Sequence, residues 1–344
     1  MGVGWRWIDF AECAARHPPP QLDTLETALA GLVTVINYVF HLIRLSRLKF
    51  LSELRLPASW LAWTLALTST LAFSLATPLG KAAIDLGITP TTILVLRFGI
   101  SVALLVITLR LTAPDKLRVD RKGLLVIFGA GFINGFGVLS FFWSLTRLDA
   151  SVATMIFSLT PLVVLAVLAL GGERLTYRHL VRLGIGLAGV YLLVGPAGQV
   201  DWLGVLLICG SMVGISIEFA LIQWFARAYG TRTITLYVMA GMLTTIGIFW
   251  AMQGAPWPQT GWQGWLIIGV MGLATGYFAW WAMFTAMRTI GGSQVILLTP
   301  LETLLSVMWA VIFLQERLSA WQWLGGIFIL TSAMLAAKRL SRVK

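Results

Sequence analysis

SVATMIFSLTPLVVLAVLALGGERLT, from Ser151 to Thr176, is an apolar run that holds Pro161 and ends in a short polar turn, Glu173-Arg174-Leu175-Thr176. A second apolar run, LVRLGIGLAGVYLLV, follows at once and is rich in glycine. The pattern returns late in the chain. Ser293 to Leu314 is apolar with Pro300 inside it, Glu316-Arg317-Leu318-Ser319 is the turn, and WLGGIFILTSAMLAA is the glycine-rich second run. The two turns match in register, and the flanking runs need only a slip of one or two residues. An apolar hairpin that occurs twice implies a duplicated membrane protein.

An echo lies upstream of each hairpin. Gly131, Gly135 and Arg147 are spaced as Gly272, Gly276 and Arg288 are, with one shift for all three. Together with the matched turns this reads as a tandem repeat, the first copy starting near Trp60 and the second near Trp202.

Composition agrees. Hydrophobic residues make up 58% of the chain and charged residues 11%, against roughly 25% charged in soluble domains. A soluble chain this apolar would expose large sticky patches. The two cysteines, Cys13 and Cys209, are far apart and form no disulfide framework. The three histidines (His17, His41, His179) have no metal-ligand spacing, so neither a metal nor a cofactor is expected. The net charge of +11 would suggest nucleic acid in a soluble protein. Here its cause is loop charge, and no nucleic-acid partner is expected.

The chain starts with a polar tail, Met1 to Gln21, that contains Pro18-Pro19-Pro20 and lacks the apolar core and small-residue cleavage site of a secretory signal. In residues 22–48, Leu25, Leu29, Leu32, Ile36, Val39, Phe40 and Ile43 share one helical face. That pattern reads as an amphipathic helix lying on the membrane, with Arg44, Arg47 and Lys49 suited to anionic headgroups. An eleventh span is the alternative, although its apolar core is short and interrupted.

From Trp60 onward ten apolar runs approach the ~20 residues that cross a bilayer: about 60–80, 90–110, 123–145, 150–170, 179–196, 202–224, 233–253, 261–286, 292–314 and 321–338. In hydrocarbon every backbone group must bond internally, so these are read as helices. Basic residues fall on alternate connections. Six lie in the N-terminal tail, five at 110–122, three at 174–182, two at 227–232, one at 288 and four in the C-terminal tail. The opposite side holds only Lys81, Arg147 and Arg317. Basic residues favour the cytoplasm, which puts both termini there. Five spans per copy is an odd number, so two tandem copies must point oppositely. An inverted repeat of this kind commonly binds substrate near the midplane and rocks between two open states.

The residues from Trp60 to Lys338 resemble the EamA type of the drug/metabolite transporter superfamily. The resemblance is carried by the Pro-containing span and its Gly-Glu-Arg-Leu-Thr turn (Gly172 to Thr176), by Gln315 to Ser319, by the glycine-rich span after each turn and by Leu96-Arg97-Phe98. The chain departs from the family pattern at Gln315, where glycine is usual, and at Glu302-Thr303, where Glu-Pro is often found. The resemblance implies ten helices in two inverted five-helix repeats and movement of small metabolites, amino acids or drugs. On that reading residues 1–56 are a cytoplasmic tail with an amphipathic helix, 57–200 the first EamA-like five-helix repeat and 201–340 the second.

Polar residues at membrane depth are the candidate sites, because such groups usually face a cavity or a partner. Glu302 lies two residues past Pro300, which removes a backbone donor and loosens the helix. Its carboxylate either takes a proton or holds a substrate amine, or else it bonds a neighbouring helix. Glu218 sits between Ile217 and Phe219 and has the same two readings. Arg97 suits a substrate carboxylate, an acidic partner or an interface. Lys81, near the end of the first span, reads as a plain interfacial charge. Asn134 beside Gly135 is placed to bond substrate or another helix. Trp143, Tyr277, Trp280 and Trp281 lie on equivalent spans and either line a cavity, where they can stack on an organic cation, or simply pack.

Gly184, Gly186 and Gly189 spell GxGxxG, but no strand precedes them, so they read as close helix packing. Gly131/Gly135 and Gly272/Gly276 read the same way.

The expected molecule is therefore an exporter of small molecules in the inner membrane, working by alternating access with proton coupling through Glu302 or Glu218, or else by facilitated exchange. Its partners are the small-molecule substrate, the lipid bilayer, protons and a second copy of the chain. The glycine-rich fifth and tenth spans serve as peripheral supports or a dimer face. A non-transporting scaffold and an intramembrane enzyme are the alternative classes. The first has no need of two intramembrane acids, and the second lacks an HExxH or GxSxG motif.

Overall fold

In a computed structural model, described for residues 58–112, 119–170, 177–194, 201–225, 229–290, 295 and 298–340, the protein is all helical. The helices are α1 (Ala58–Ser74), α2 (Ala76–Asp85), α3 (Pro90–Thr112), α4 (Arg121–Ser144), α5 (Ala150–Phe157), α6 (Thr160–Leu170) and α7 (Tyr177–Val194). They continue with α8 (Trp202–Phe225), α9 (Thr231–Met252), α10 (Trp262–Val270), α11 (Ala279–Ile290), α12 (Thr299–Phe313) and α13 (Ala320–Leu340). A π-helical stretch, Met271–Phe278, joins α10 to α11. The amphipathic segment 22–48 and the turn from Glu173 to Thr176 lie outside the described residues.

Prolines place the breaks. A proline ring clashes with the carbonyl four residues earlier and removes a donor. Pro161 accordingly ends α5 at Phe157, and the released Phe157 carbonyl accepts the Thr160 hydroxyl at 2.5 Å. Pro78 likewise sets the break after Ser74. Pro300 does not loosen its helix as its sequence position suggests: it stands in the first turn of α12, where a missing N–H costs nothing.

Among the described residues seven helical stretches are long and apolar enough to cross a membrane: Trp60–Asp85, Pro90–Thr112, Arg121–Ser144, Ala150–Leu170, Trp202–Phe225, Arg232–Met252 and Trp262–Met283. The three other expected spans contain α7, α12 and α13. Leu111, Leu125 and Leu170 are among many large apolar side chains on the outside, a surface that suits lipid and not water. Trp60, Trp202, Trp262 and Trp321 are exposed at helix starts, where an indole sits at headgroup level.

α4 lies against α8 and α9, and α3 against α9 and the π-helical stretch. α1 packs on α11 and α12, α5 on α12, and α7 on α13. The main core runs through α2–α6, α8–α10, α12 and α13. A smaller one of Leu65, Ala66, Ala72, Phe278, Ala279, Ala282 and Ala286 joins α1 to α11. The glycine reading holds at these crossings. A Cβ on Gly186 would lie 2.7 Å from Leu159, and one on Gly189 would lie 2.7 Å from the Gly325 carbonyl of α13. Gly184, the first glycine of that GxGxxG, touches nothing.

Candidate functional site

α4 and α8 cross where Gly137 meets Gly214, so closely that a Cβ on Gly214 would lie 3.0 Å from the Gly137 Cα. Small residues alone permit that approach. One turn away on each helix stand Asn134 and Glu218, and the Asn134 side-chain amide donates to the Glu218 carboxylate. Both side chains are buried. A buried acid is tolerated when it is hydrogen-bonded, and the glycine crossing brings the donor to it. Sequence alone singled out each residue without pairing them.

Arg97 is buried on α3 with its guanidinium 5.5 Å from the Phe98 ring centroid and 6.0 Å from that of Phe142. One long bond of 3.5 Å runs from Nη2 to the Thr275 carbonyl, and Nε has no partner. Neither of the ion pairs among the described residues involves Arg97. Arg97 is therefore a buried cation and not an exposed interfacial one.

The aromatics are packed. The Tyr277 hydroxyl is 2.7 Å from the Thr108 hydroxyl, Trp143 meets Phe249 edge-on at 5.8 Å, and Trp281 lies 6.3 Å from Phe278. Glu302 is half-buried in the first turn of α12. One turn on, the Ser306 and Thr154 hydroxyls lie 3.3 Å apart across α12 and α5. Among the described residues no hydrogen bond or ion pair joins Glu302, Arg97 or these aromatics to the Asn134–Glu218 pair.

Lys81 is not the exposed interfacial charge that its sequence position suggests. It is buried, donates to the Leu145 carbonyl at 2.8 Å and lies 3.7 Å from Asp85. Gly80 explains this, because Phe142 packs directly on it and draws α2 against α4.

Sequence reasoning passed over Glu316, which it read only as part of a repeated turn. Its carboxylate accepts the Ala150 N–H at 2.6 Å, the Ser151 N–H at 2.9 Å and the Ser151 hydroxyl. It thus caps α5 from 165 residues away, and Asp149, the N-cap residue, makes no side-chain cap of its own. Burial pushes the Glu316 carboxyl above its ordinary range and neighbouring Asp149 adds to the rise, while the Ser151 and Ala150 donors oppose it. The same end of the molecule carries Arg147–Asp201 at 2.5 Å. At the other end the Tyr229 hydroxyl donates to Asp120 and holds that carboxyl below its ordinary range.

With this geometry established, comparison decides the class. The sequence pattern of the EamA-like transporter family matches the chain twice, over residues 60–195 and 202–337. The chain belongs to the EamA-like transporter family. It is 25% identical over 224 residues to an uncharacterized transporter of Archaeoglobus fulgidus, a match covering 64% of this chain and 78% of that one. It is 28% identical over 174 residues to the uncharacterized transporter YvbV of Bacillus subtilis, covering 48% and 55% respectively. A 73-residue match at 37% identity to an uncharacterized transporter of Sinorhizobium covers 21% of this chain and about half, 51%, of that relative. A solved crystal structure shares the fold with a TM-score of 0.57 at 22% identity, covering 82% of this transporter and 97% of that chain.

Proposed function

We propose that this membrane transporter is a secondary exporter of small metabolites, amino acids or drugs, built as two inverted five-helix repeats, 57–200 and 201–340, in the inner membrane with both termini cytoplasmic. The observation that carries the reading is the buried Asn134–Glu218 bond, which ties a helix of the first family match to a helix of the second. An alternating-access cycle moves α4 against α8, so the bond must break or re-form as the halves rock. Glu218 is placed to exchange that bond for a proton or a substrate amine, with Glu302 as the second acid and Arg97, Trp143, Tyr277 and Trp281 around the path.

The helix packing supports two equivalent halves, and the odd number of spans in each is what points them oppositely. α4 against α8 has its equivalent in α11 against α1, and α4 against α9 in the π-helical stretch against α3. The α7–α13, α3–α9 and α5–α12 contacts are their own equivalents. The glycine contacts repeat too. The Thr245 hydroxyl donates to the Phe132 carbonyl next to Gly131, and the Ser101 hydroxyl donates to the Gly272 carbonyl.

Proteoliposomes loaded with a pH-sensitive dye test the reading. Amino acids and organic cations are offered one at a time against a proton gradient, and a true substrate dissipates the gradient with wild-type protein but not with Glu218→Gln. Reporter fusions test the arrangement. A fusion after Lys344 is expected in the cytoplasm and one within 256–259 on the opposite side, and finding both on one side would overturn the ten-span topology.

A further inference from the structure

The two glycine-bearing crossings differ in one respect. Residues 130–137 of α4 are α-helical throughout. Their equivalents, Met271–Phe278, form a π-helix, and the Ala279 N–H bonds back to the Ala274 carbonyl five residues earlier. A π stretch holds about one extra residue per turn and is uncommon unless something stabilises it.

What lies against this stretch is α3. Ile100 fills the space over Gly272 and Ser101 the space over Gly276. The Ser101 hydroxyl shares its single proton between its own helix, at the Arg97 carbonyl (2.7 Å), and the Gly272 carbonyl (3.1 Å). Arg97 reaches the Thr275 carbonyl from the same helix, one turn away. The Thr275 hydroxyl in turn bonds the Met271 carbonyl at 2.8 Å, and side chains bonded into a helix ladder are a known cause of bends. At the α4 crossing, α9 supplies the Thr245 hydroxyl but no cation, since its one basic residue is Arg232 in the first turn. A permanently charged guanidinium from the facing helix, and a Thr275 hydroxyl bonded into the ladder where α4 has Asn134, are thus the chemical differences between the two crossings.

We propose that Arg97 and Ser101 are positioning residues that hold 271–278 in the π register, and that leaving this register turns α11 on α1 during transport. Taking the extra residue into the α-helix as the π register is left turns the following helix by roughly 100° and shifts it by about 1.5 Å. That motion carries Trp281 and the alanine face of Ala279, Ala282 and Ala286, which packs on Leu65 and Ala66 of α1. The transport role rests on the transporter reading above, whereas the register itself is measurable without any substrate.

Leu273 projects outward from the stretch, so deleting it removes the extra residue without emptying the core. Melting of the full chain in lipid nanodiscs is measured for Arg97→Gln, for the Leu273 deletion and for both together. If Arg97 stabilises the π register, each single change lowers Tm by about 3 °C or more, and the double variant melts with the deletion alone because the carbonyl that Arg97 bonds has already turned away. Arg97→Lys retains a donor and restores most of the loss. Additive losses, or no loss on deletion, overturn the proposal.

The turn of α11 is read separately from maleimide labelling of a Trp281→Cys thiol in a chain with Cys13 and Cys209 replaced by serine. Arg97→Gln, which frees the stretch to leave the π register with all its residues present, is expected to change the rate at least about fivefold, while the Leu273 deletion keeps the flanks in register and leaves the rate near that of the parent; an unchanged rate in Arg97→Gln overturns the motion. Ser101→Ala, a loss of one atom, serves in place of Arg97→Gln in the same cycle if the latter does not fold. Should register and labelling behave as stated while no solute is ever moved, the positioning role stands and the transporter reading alone fails.

Discussion

Asn134 and Glu218 satisfy each other across the α4–α8 crossing, 84 residues apart in sequence. The bond exists because two glycines, Gly137 and Gly214, remove the side chains that would hold those helices apart. It puts the one fully buried acid of α8 under the control of how the two helices sit.

Glu218→Gln keeps the shape and an acceptor for Asn134 while fixing the charge at zero. The variant should express, lose accumulation driven by a pH gradient and keep exchange of substrate for substrate. Asn134→Leu leaves Glu218 without its donor and should cost about 1–3 kcal/mol of stability. If both the Glu218→Gln and Glu302→Gln variants retain the wild-type pH dependence, neither acid carries the proton.

Gly135→Leu drives a side chain into Thr245, and Gly276→Leu drives one into Ser101. Overpacking of this kind costs about 1–3 kcal/mol or more. Each should lower the melting temperature in detergent, while Gln259→Leu on the exposed loop should not. Equal melting of all three would end the close-approach argument.

Glu316 supplies α5 with the cap that Asp149 does not. Glu316→Ala should destabilise by about 0.5–2 kcal/mol, the usual worth of a lost cap. Because burial and Asp149 raise its carboxyl, the folded chain favours the protonated form. This contribution to stability is full below the ordinary carboxylate range and declines as pH rises through the raised value. Asp149→Asn removes the like charge with almost no change of size, so it should raise Tm at pH 7. A fall would show that Asp149 supports the cap and does not oppose it.

The Arg147–Asp201 tie has the opposite sign. Burial raises the Asp201 carboxyl, but the Arg147 guanidinium and the Leu203 and Gly204 N–H groups outweigh it and leave it lowered. Its contribution is present above the ordinary carboxylate range and is lost as pH falls through the lowered value. Melting followed from pH 6 to pH 3 should show the wild type losing more stability than Asp201→Asn. Parallel curves would remove the pair from the account.

The membrane class and the duplication were legible in sequence, because hydropathy and repeat spacing are written in the residues themselves, whereas the breaks at Pro78 and Pro161 came only with the structure. The same local logic picked out Glu218, Asn134 and Arg97 one by one, since a polar group in an apolar run is costly wherever the run goes. Their partners were not legible. Whether Asn134 meets Glu218, whether Glu316 reaches Ala150, and whether Lys81 turns inward to Leu145 depend on how closely two helices distant in sequence approach. For Asn134 and Lys81 that distance is set by glycines at the crossing, Gly137 against Gly214 and Gly80 under Phe142. Matched glycines were visible in both copies, yet only the tertiary structure decided that one stretch stays α-helical and the other widens to π, because the hydroxyl and guanidinium lying against the second come from another helix.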